Sequence, residues 1–260
     1  MMRARSLQVV LCLLVVSTGL VHAESTTVEI TNDEVPVSAT EGVIEESGCP
    51  PTVTDIDGHV YRTVLIGDQC WMVENLKVVH YRNGDAILHA ADSGAWSGLA
   101  EGAYCEYDND SGSVEAYGRL YNWHAVTDAR GIAPDGWHVP TDDEWKQLEV
   151  YLGMSRSEAD SKGFREMAED VGGKLKDTGT SQWISPNASA TNESGFSAVP
   201  GGFRNYLGHF NNMGFNGYFW SSTAYDSLDA WSRYLYNDNS GISRYHSNMQ
   251  NGLSVRCVRD

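Results

Sequence analysis

The fold is decided by three segments in the last third of the chain, which read GFSAVPGGFRN at 195–205, YFWSST at 218–223 and LSVRCVRD at 253–260. Short apolar runs broken by glycine and serine are typical of strands and tight turns. Apolar and polar residues alternate through the last segment, and this alternation predicts a strand with one buried face. The chain is therefore expected to end in β-structure.

Three earlier segments have the same character and read IGDQCWMVENL at 66–76, YGRLYNW at 117–123 and GWHVP at 136–140. The stretch at 54–61 predicts a hairpin, because Asp57 followed by Gly58 can supply the positive φ angles that a tight turn needs. A second, longer hairpin is expected over 231–246.

The sequence TDDE at 141–144 predicts the start of a helix. The Thr141 hydroxyl can accept from the Glu144 N–H while the Glu144 carboxylate returns to the cap. Apolar side chains then recur at helical spacing, at Trp145, Leu148 and Leu152. We expect a helix over 142–152 and a second helix over 157–171.

Taken in their order along the chain, the six segments resemble the blocks of the Fibrobacter succinogenes major paralogous domain family. The resemblance covers 49–260 and implies a bacterial protein. It also implies a C-type-lectin-like superfold, which is an α+β domain with one or two helices, antiparallel strands and long loops. In that arrangement the closing strand returns to the first strands of the domain.

Residues 1–23 have the layout of a secretory signal peptide, because two arginines precede an apolar run and small residues allow cleavage after Ala23. The alternative is a membrane anchor, although the run is too short to span about 30 Å of hydrocarbon. Residues 24–48 hold seven acids and no base, so they predict a disordered acidic leader. The folded domain is expected at 49–260.

The formal net charge of the chain is −17. Nucleic acid and anionic membranes would repel such a chain, so neither is an expected partner. The charge suits a protein that is secreted or displayed at the cell surface, with no membrane insertion after signal cleavage.

Four cysteines remain after the predicted signal segment, and an even number in an exported chain predicts two disulfides. Three pairings are possible. We favour Cys70 with Cys257, which would tie an early strand to the closing strand, and this choice leaves Cys49 with Cys105. One pair of free thiols is the alternative.

Aromatic residues crowd the last third of the chain, and those beside glycine or asparagine are the expected exposed ones. Aromatic faces can stack on sugar rings, so we predict a ligand-binding surface from Tyr206, Phe210, Tyr225 and Tyr245. Arg204 could add a fixed fork of donors for an anionic group. The alternatives are aromatic packing in the core and a structural arginine that binds loop carbonyls.

Asp108 and Asp110 place oxygen ligands at alternating positions before a glycine, as the start of a calcium loop does. A hydrophilic turn is the alternative, since no glutamate follows at the EF-hand distance. The chain also has neither the Glu-Pro-Asn nor the Gln-Pro-Asp triplet of sugar-binding C-type lectins. Beyond this calcium option, no cofactor is expected.

The expected function is that of a non-catalytic binding or adhesion module for a carbohydrate or a surface protein. The ending also resembles that of formylglycine-generating enzymes, and an oxidase-type enzyme is the first alternative. Those enzymes hold copper with two nearby cysteines, whereas only Cys257 lies near the end of this chain. The second alternative is a structural surface protein without a ligand.

Overall fold

The computed structural model of the protein describes residues 48–165 and 169–260. The predicted signal peptide at 1–23 and, apart from Gly48, the predicted leader at 24–48 lie outside these residues. The strands are β1 (Thr52–Thr54), β2 (Val60–Ile66), β3 (Gln69–Met72), β4 (Leu88–His89), β5 (Ala103–Cys105), β6 (Leu120–Tyr121), β7 (Trp137–His138), β8 (Gly163–Arg165), β9 (Gly201–Arg204), β10 (Phe210–Met213), β11 (Asn216–Ala224), β12 (Asp229–Tyr236), β13 (Ile242–Asn248) and β14 (Val258–Arg259). The helices are α1 (Ser93–Trp96), α2 (Val114–Tyr117), α3 (Trp123–Val126), α4 (Asp142–Tyr151), α5 (Arg156–Asp160) and α6 (Val171–Leu175), with 3₁₀ turns at Tyr107–Asn109 and Ser111–Ser113.

These elements form a mixed α+β structure with mostly antiparallel strands and short helices, as the sequence predicts. Three sheets have the strand orders β1-β2-β3-β14-β7, β10-β9-β11-β12-β13-β8 and β4-β5-β6. The β9–β11 and β4–β5 pairs are parallel. Among the described residues, no helix has both the length and the apolar character needed to cross a membrane.

The closing strand β14 joins the first strands of the chain in one five-stranded sheet. Val258 lies opposite Trp71 of β3, and the strands run antiparallel. The hairpin predicted at 54–61 is also present, with Thr54 of β1 opposite Val60 of β2. The return of the chain end to its early strands is therefore confirmed.

Helix α4 begins where the capping box predicts it. The Thr141 hydroxyl accepts from the Glu144 N–H, and the Glu144 carboxylate accepts from the Thr141 N–H. The helix packs its apolar side through Trp145, whose ring centre lies 5.0 Å from that of Trp71 and 5.9 Å from that of Phe219. Since Trp71 belongs to β3 and Phe219 to β11, this aromatic contact joins the helix to both large sheets.

The second predicted helix, over 157–171, is wrong. The chain forms the short helix α5, then strand β8, and begins α6 only at Val171. Gly163 has a φ of 106°, outside the helical region. Phe164 then pairs with Ser243 of β13. Pairing with a distant strand has therefore overridden the local helical pattern.

The predicted disulfide pairing is also wrong. Cys49 is bonded to Cys70, whereas Cys105 and Cys257 are buried free thiols. The Met72 N–H donates to the Cys257 carbonyl (3.0 Å), so Cys257 lies beside Met72. Cys70 lies two residues before Met72 in β3. Two residues of strand span about 6.6 Å, which leaves Cys257 out of register for a bond to Cys70.

His138 ties the C-terminal residue to α4. Its Nδ1 lies 2.6 Å from the Asp260 carboxylate and its Nε2 lies 2.7 Å from that of Glu144. The hydrogen bond to Glu144, followed by that to Asp260, raises the pKa of His138 to about 9. A raised pKa in the folded state stabilises the fold fully below the unfolded-state pKa, and this stability is lost as pH rises through the folded value.

We therefore expect the free energy of unfolding to fall by about 1 kcal/mol between pH 6.5 and pH 9.5, the part-exposed site being screened by solvent. Urea denaturation across this range measures the effect. His138→Gln should flatten the slope, and His209→Gln, a change on the β9–β10 turn, should leave it unaltered. An equal slope in His138→Gln would contradict the assignment.

Candidate functional site

Two of the predicted ligand residues, Tyr225 and Tyr245, come together at one edge of the six-stranded sheet. Tyr225 follows β11 and Tyr245 lies in β13, and the two side chains are 41% and 43% exposed. His246 connects them, with its ring centre 4.3 Å from that of Tyr225 and 5.9 Å from that of Tyr245. Both pairs of rings are stacked.

Two half-buried rings of β12 extend this group. Trp231 lies opposite His246 in the register of the hairpin, and its ring centre is 4.8 Å from that of Tyr225. Tyr234 is diagonal to Tyr245, and their rings are almost parallel at 11° with centres 6.0 Å apart. We call the five residues Tyr225, Trp231, Tyr234, Tyr245 and His246 the hairpin surface.

The edge position of β13 explains why rings from both faces of the strand meet. Strand β8 pairs only with Ile242, Ser243 and Arg244. From Tyr245 onward, no further strand of the described chain pairs with the outer side of β13. Tyr245 and His246 are adjacent strand residues and so lie on opposite faces, yet at this edge their ring centres are only 5.9 Å apart.

Polar groups border the hairpin surface. The Lys162 ammonium lies 4.6 Å from the ring centre of Tyr225 and 3.2 Å from its hydroxyl. The His246 Nδ1 lies 2.7 Å from the Asp229 carboxylate, and the Tyr234 hydroxyl shares a hydrogen bond with Ser247 (2.8 Å). The surface therefore offers aromatic carbon beside donors and acceptors of both charges.

The remaining predicted aromatics lie elsewhere. Phe210 is half-buried, with its ring centre 5.2 Å from that of Tyr107 and 4.7 Å from the Arg204 guanidinium. Tyr206 is 46% exposed on the turn between β9 and β10, where its N–H donates to the Asn251 side chain (2.8 Å). Within the described residues, no ring contact joins either of them to the hairpin surface.

The prediction that Arg204 binds ligand is corrected by its burial. Its side chain is almost completely buried, and its three nitrogens donate to the carbonyls of Ala90 (2.5 Å), Ala91 (2.8 Å) and Gly208 (3.1 Å). Three of its five N–H donors are thus bonded to backbone, and its burial keeps an anionic ligand away from the others. Arg204 is therefore the structural alternative, an arginine that holds loop backbone together.

The predicted calcium residues Asp108 and Asp110 are both exposed. Asp108 adopts a φ of 53°, and the Asp110 carboxylate accepts from the Gly112 N–H (2.9 Å). In the described part of the chain, neither aspartate gathers with two further ligand groups. The geometry is that of a hydrophilic turn stabilised by its own side chain.

A polar cleft of about 440 Å³ was not anticipated from the sequence. It is lined by residues from four of the six family-like segments, among them Asn75, Gly118, Ser197 and Arg256. Most of these polar groups already bond to the protein, since Arg256 donates to Asn75 and to the carbonyls of Phe196 and Ser197. We therefore interpret the cleft as part of the packing of these segments. The hairpin surface is the stronger candidate for a ligand-binding site.

Sequence reasoning missed Trp231, Tyr234 and His246 as members of the site. The signal that could have found them is the hairpin itself, because its register decides which rings lie opposite or diagonal to Tyr245. Nothing in the local sequence indicates that β8 stops pairing with β13 after Arg244.

The comparison with known families agrees with these observations. A family model described as the Fibrobacter succinogenes major domain matches residues 64–259, from the middle of β2 to the end of β14. No curated protein and no solved structure matches the chain. The match covers well over half of the 260 residues. The chain belongs to the Fibrobacter succinogenes major domain family.

Proposed function

We propose that the protein is an exported, non-catalytic binding module that holds carbohydrate on its hairpin surface. The observation that carries the proposal is that two exposed tyrosines, Tyr225 and Tyr245, are joined through His246 into an aromatic surface that passes around the edge of β13. Exposed rings at such a position are not needed to fill the core. Large rigid rings with polar tips are well suited to recognition, because little side-chain entropy is lost when they bind.

The chemistry of the surface favours a sugar over a purely apolar ligand. A pyranose ring has C–H faces that pack on aromatic carbon and hydroxyls that require donors and acceptors. Lys162, Asp229 and the Tyr234–Ser247 pair supply such groups beside the rings. Each of these groups has one partner in the protein and keeps further donor or acceptor capacity, which sugar hydroxyls can use and an apolar ligand cannot.

The proposal includes the C-type-lectin-like superfold and export from the cell. The meeting of β3 and β14 in one sheet, with long loops between them, supports the superfold. The signal-like segment at 1–23 and the Cys49–Cys70 disulfide support export, since such bonds persist in oxidising compartments. Recognition without calcium fits the absence of the two lectin triplets from the sequence.

A non-catalytic role is supported by the two free cysteines. Burial raises the pKa of Cys105 to about 12 and also raises that of Cys257. The thiolate is the form that binds metal and reacts, so both thiols are held in the inert form. This chemistry does not favour the oxidase-type alternative.

A glycan array probed with and without EDTA tests the proposal. We expect binding that survives EDTA and becomes roughly tenfold weaker in Tyr245→Ala, as for a central aromatic contact. Tyr206→Ala is the matched control, because Tyr206 has a similar exposure at a separate turn.

Three results would overturn parts of this picture. Equal binding by Tyr245→Ala would remove the hairpin surface from the site, and loss of binding in EDTA would reinstate a metal-dependent mode. If no glycan is bound, the carbohydrate proposal fails, and a surface protein or a purely structural role takes its place.

A further inference from the structure

The turn between β1 and β2 gathers three groups that can bind a metal ion. Asp55, Asp57 and His59 each present one ligand atom, and these three atoms lie within 4.8 Å of one another. The imidazole Nδ1 of His59 is 3.0 Å from the Asp55 carboxylate. A second imidazole, that of His80, has its Nδ1 2.5 Å from Asp57 Oδ1. The group thus combines two carboxylates with two imidazoles.

Hydrogen bonds from the surrounding structure fix the orientation of both carboxylates. Asp55 Oδ2 accepts from the Tyr61 hydroxyl (2.5 Å), and its Oδ1 accepts from the N–H groups of Asp57 (2.9 Å) and His59 (3.0 Å). Asp57 Oδ2 accepts from the N–H of Val79 (2.6 Å). Each oxygen has two lone pairs. Asp55 Oδ1 and Asp57 Oδ2 are therefore filled by their N–H donors, and these bonds orient the two carboxylates. The oxygens left for an ion are Asp55 Oδ2, on its lone pair that faces His59 Nδ1, and Asp57 Oδ1.

The site is also accessible. The Asp55 side chain is almost completely buried, whereas that of His59 is 35% exposed. A cavity of about 300 Å³ opens beside Asp55. The cation that lines this cavity, Arg82, already donates to the carbonyls of Ala133 and Trp137. An ion from solvent can therefore reach the two carboxylates either past the exposed side of His59 or through the cavity.

We propose that this turn binds one divalent first-row transition ion through Asp55, Asp57 and His59 Nδ1. His80 acts as the positioning residue that holds Asp57 by its hydrogen bond. The ion binds the neutral imidazole, which carries its proton on Nε2, and so takes the place of the hydrogen bond between His59 Nδ1 and Asp55. A water molecule completes the coordination.

The spacing and the donor types favour zinc-like ions over calcium. Tetrahedral ligands about 2.1 Å from a Zn²⁺ ion lie about 3.4 Å apart, so the His59–Asp55 pair is already near that spacing. Since the three ligand atoms lie within 4.8 Å of one another, Asp57 has to move inward by up to about 1.4 Å to reach the same spacing. An imidazole with two carboxylate oxygens suits Zn²⁺, Co²⁺ or Mn²⁺, whereas Ca²⁺ prefers six or more oxygens. The negative charge of the chain favours any cation.

Calorimetric titration of the purified protein, without a histidine tag, with Zn²⁺ at pH 7.5 tests the proposal. We expect one ion per chain and no displacement by millimolar Ca²⁺. His59→Gln should weaken binding at least tenfold, and His80→Gln should weaken it by about tenfold, as for an orienting partner. His89→Gln is the matched control, because His89 is paired with the single carboxylate of Glu106 at 2.7 Å.

A thermal melt gives a second readout. Zn²⁺ should raise the Tm of the wild-type protein and of His89→Gln, but not that of His59→Gln. A merely structural role for His59 would lower the Tm without abolishing the response to Zn²⁺. The proposal would be overturned if the wild-type protein showed no saturable Zn²⁺ binding, or if His59→Gln and His80→Gln both bound Zn²⁺ as tightly as the wild-type protein.

Discussion

Replacing Glu149 by glutamine is expected to destabilise the fold by about 3–5 kcal/mol, the range observed when one member of a buried ion pair is removed. The Glu149 carboxylate lies in α4 with no solvent exposure. One of its oxygens accepts from Arg165 (2.6 Å) and the other from Arg165 (2.6 Å) and Arg233 (2.5 Å). The neutral amide of glutamine cannot balance the charge of the two buried guanidinium groups. The substitution therefore leaves positive charge buried without its counter-ion.

The same network supports the hairpin surface. Arg233 of β12 also donates to Asp142 (2.8 Å), and Asp142 accepts from Arg244 of β13 (2.7 Å). The Arg244 guanidinium lies 3.5 Å from the ring centre of Trp231. We therefore expect Glu149→Gln to loosen the β12–β13 hairpin and to weaken ligand binding there as well.

Urea denaturation of Glu149→Gln measures the loss of stability, with Asp143→Asn as the control. Asp143 lies in the same helix, pairs with Lys146 and is 81% exposed, so its change should cost less than about 1 kcal/mol. A similar, small effect for both variants would show that the buried network contributes little to stability.

Reduction of the Cys49–Cys70 disulfide is the second large effect. The bond spans a sequence separation of 21 residues and joins the segment before β1 to β3. Cross-linking a loop of this size restricts the unfolded chain, and its removal is expected to cost about 3 kcal/mol. The denaturation midpoint should therefore fall in reductant.

The matched variant is the double change Cys49→Ser with Cys70→Ser, which should have a low midpoint that no longer responds to reductant. Cys105→Ala should keep the full response, because Cys105 is a free thiol. A wild-type midpoint that is the same with and without reductant would contradict the assigned bond. Alkylation before and after reduction, followed by peptide mapping, identifies the two bonded cysteines directly.

Several features could be predicted because they depend on near neighbours. The capping box of α4 uses Thr141 and Glu144, only three residues apart, and the β1–β2 turn uses Asp57 followed by Gly58. The family resemblance likewise rests on short segments in a fixed order, and the family match over 64–259 confirms it. Tyr206, Tyr225 and Tyr245 are exposed as the sequence predicts, whereas Phe210, for which the same prediction was made, is half-buried.

Other features depended on residues far apart in the chain. The register of β14 on β3 placed Cys257 beside Met72 and left Cys70 to Cys49. The pairing of Phe164 with Ser243 turned a predicted helix into strand β8. The Arg204 guanidinium donates to the carbonyls of Ala90 and Ala91, which lie more than 100 residues earlier in the chain.

The sequence alone therefore determined the class of fold, the family and the local turns and caps, because each of these follows from a short stretch of chain. Tertiary structure alone decided the disulfide, the buried charge network and the membership of the hairpin surface. A strand register shifted by one residue reverses every side chain, and no local pattern states which distant partner supplies that register.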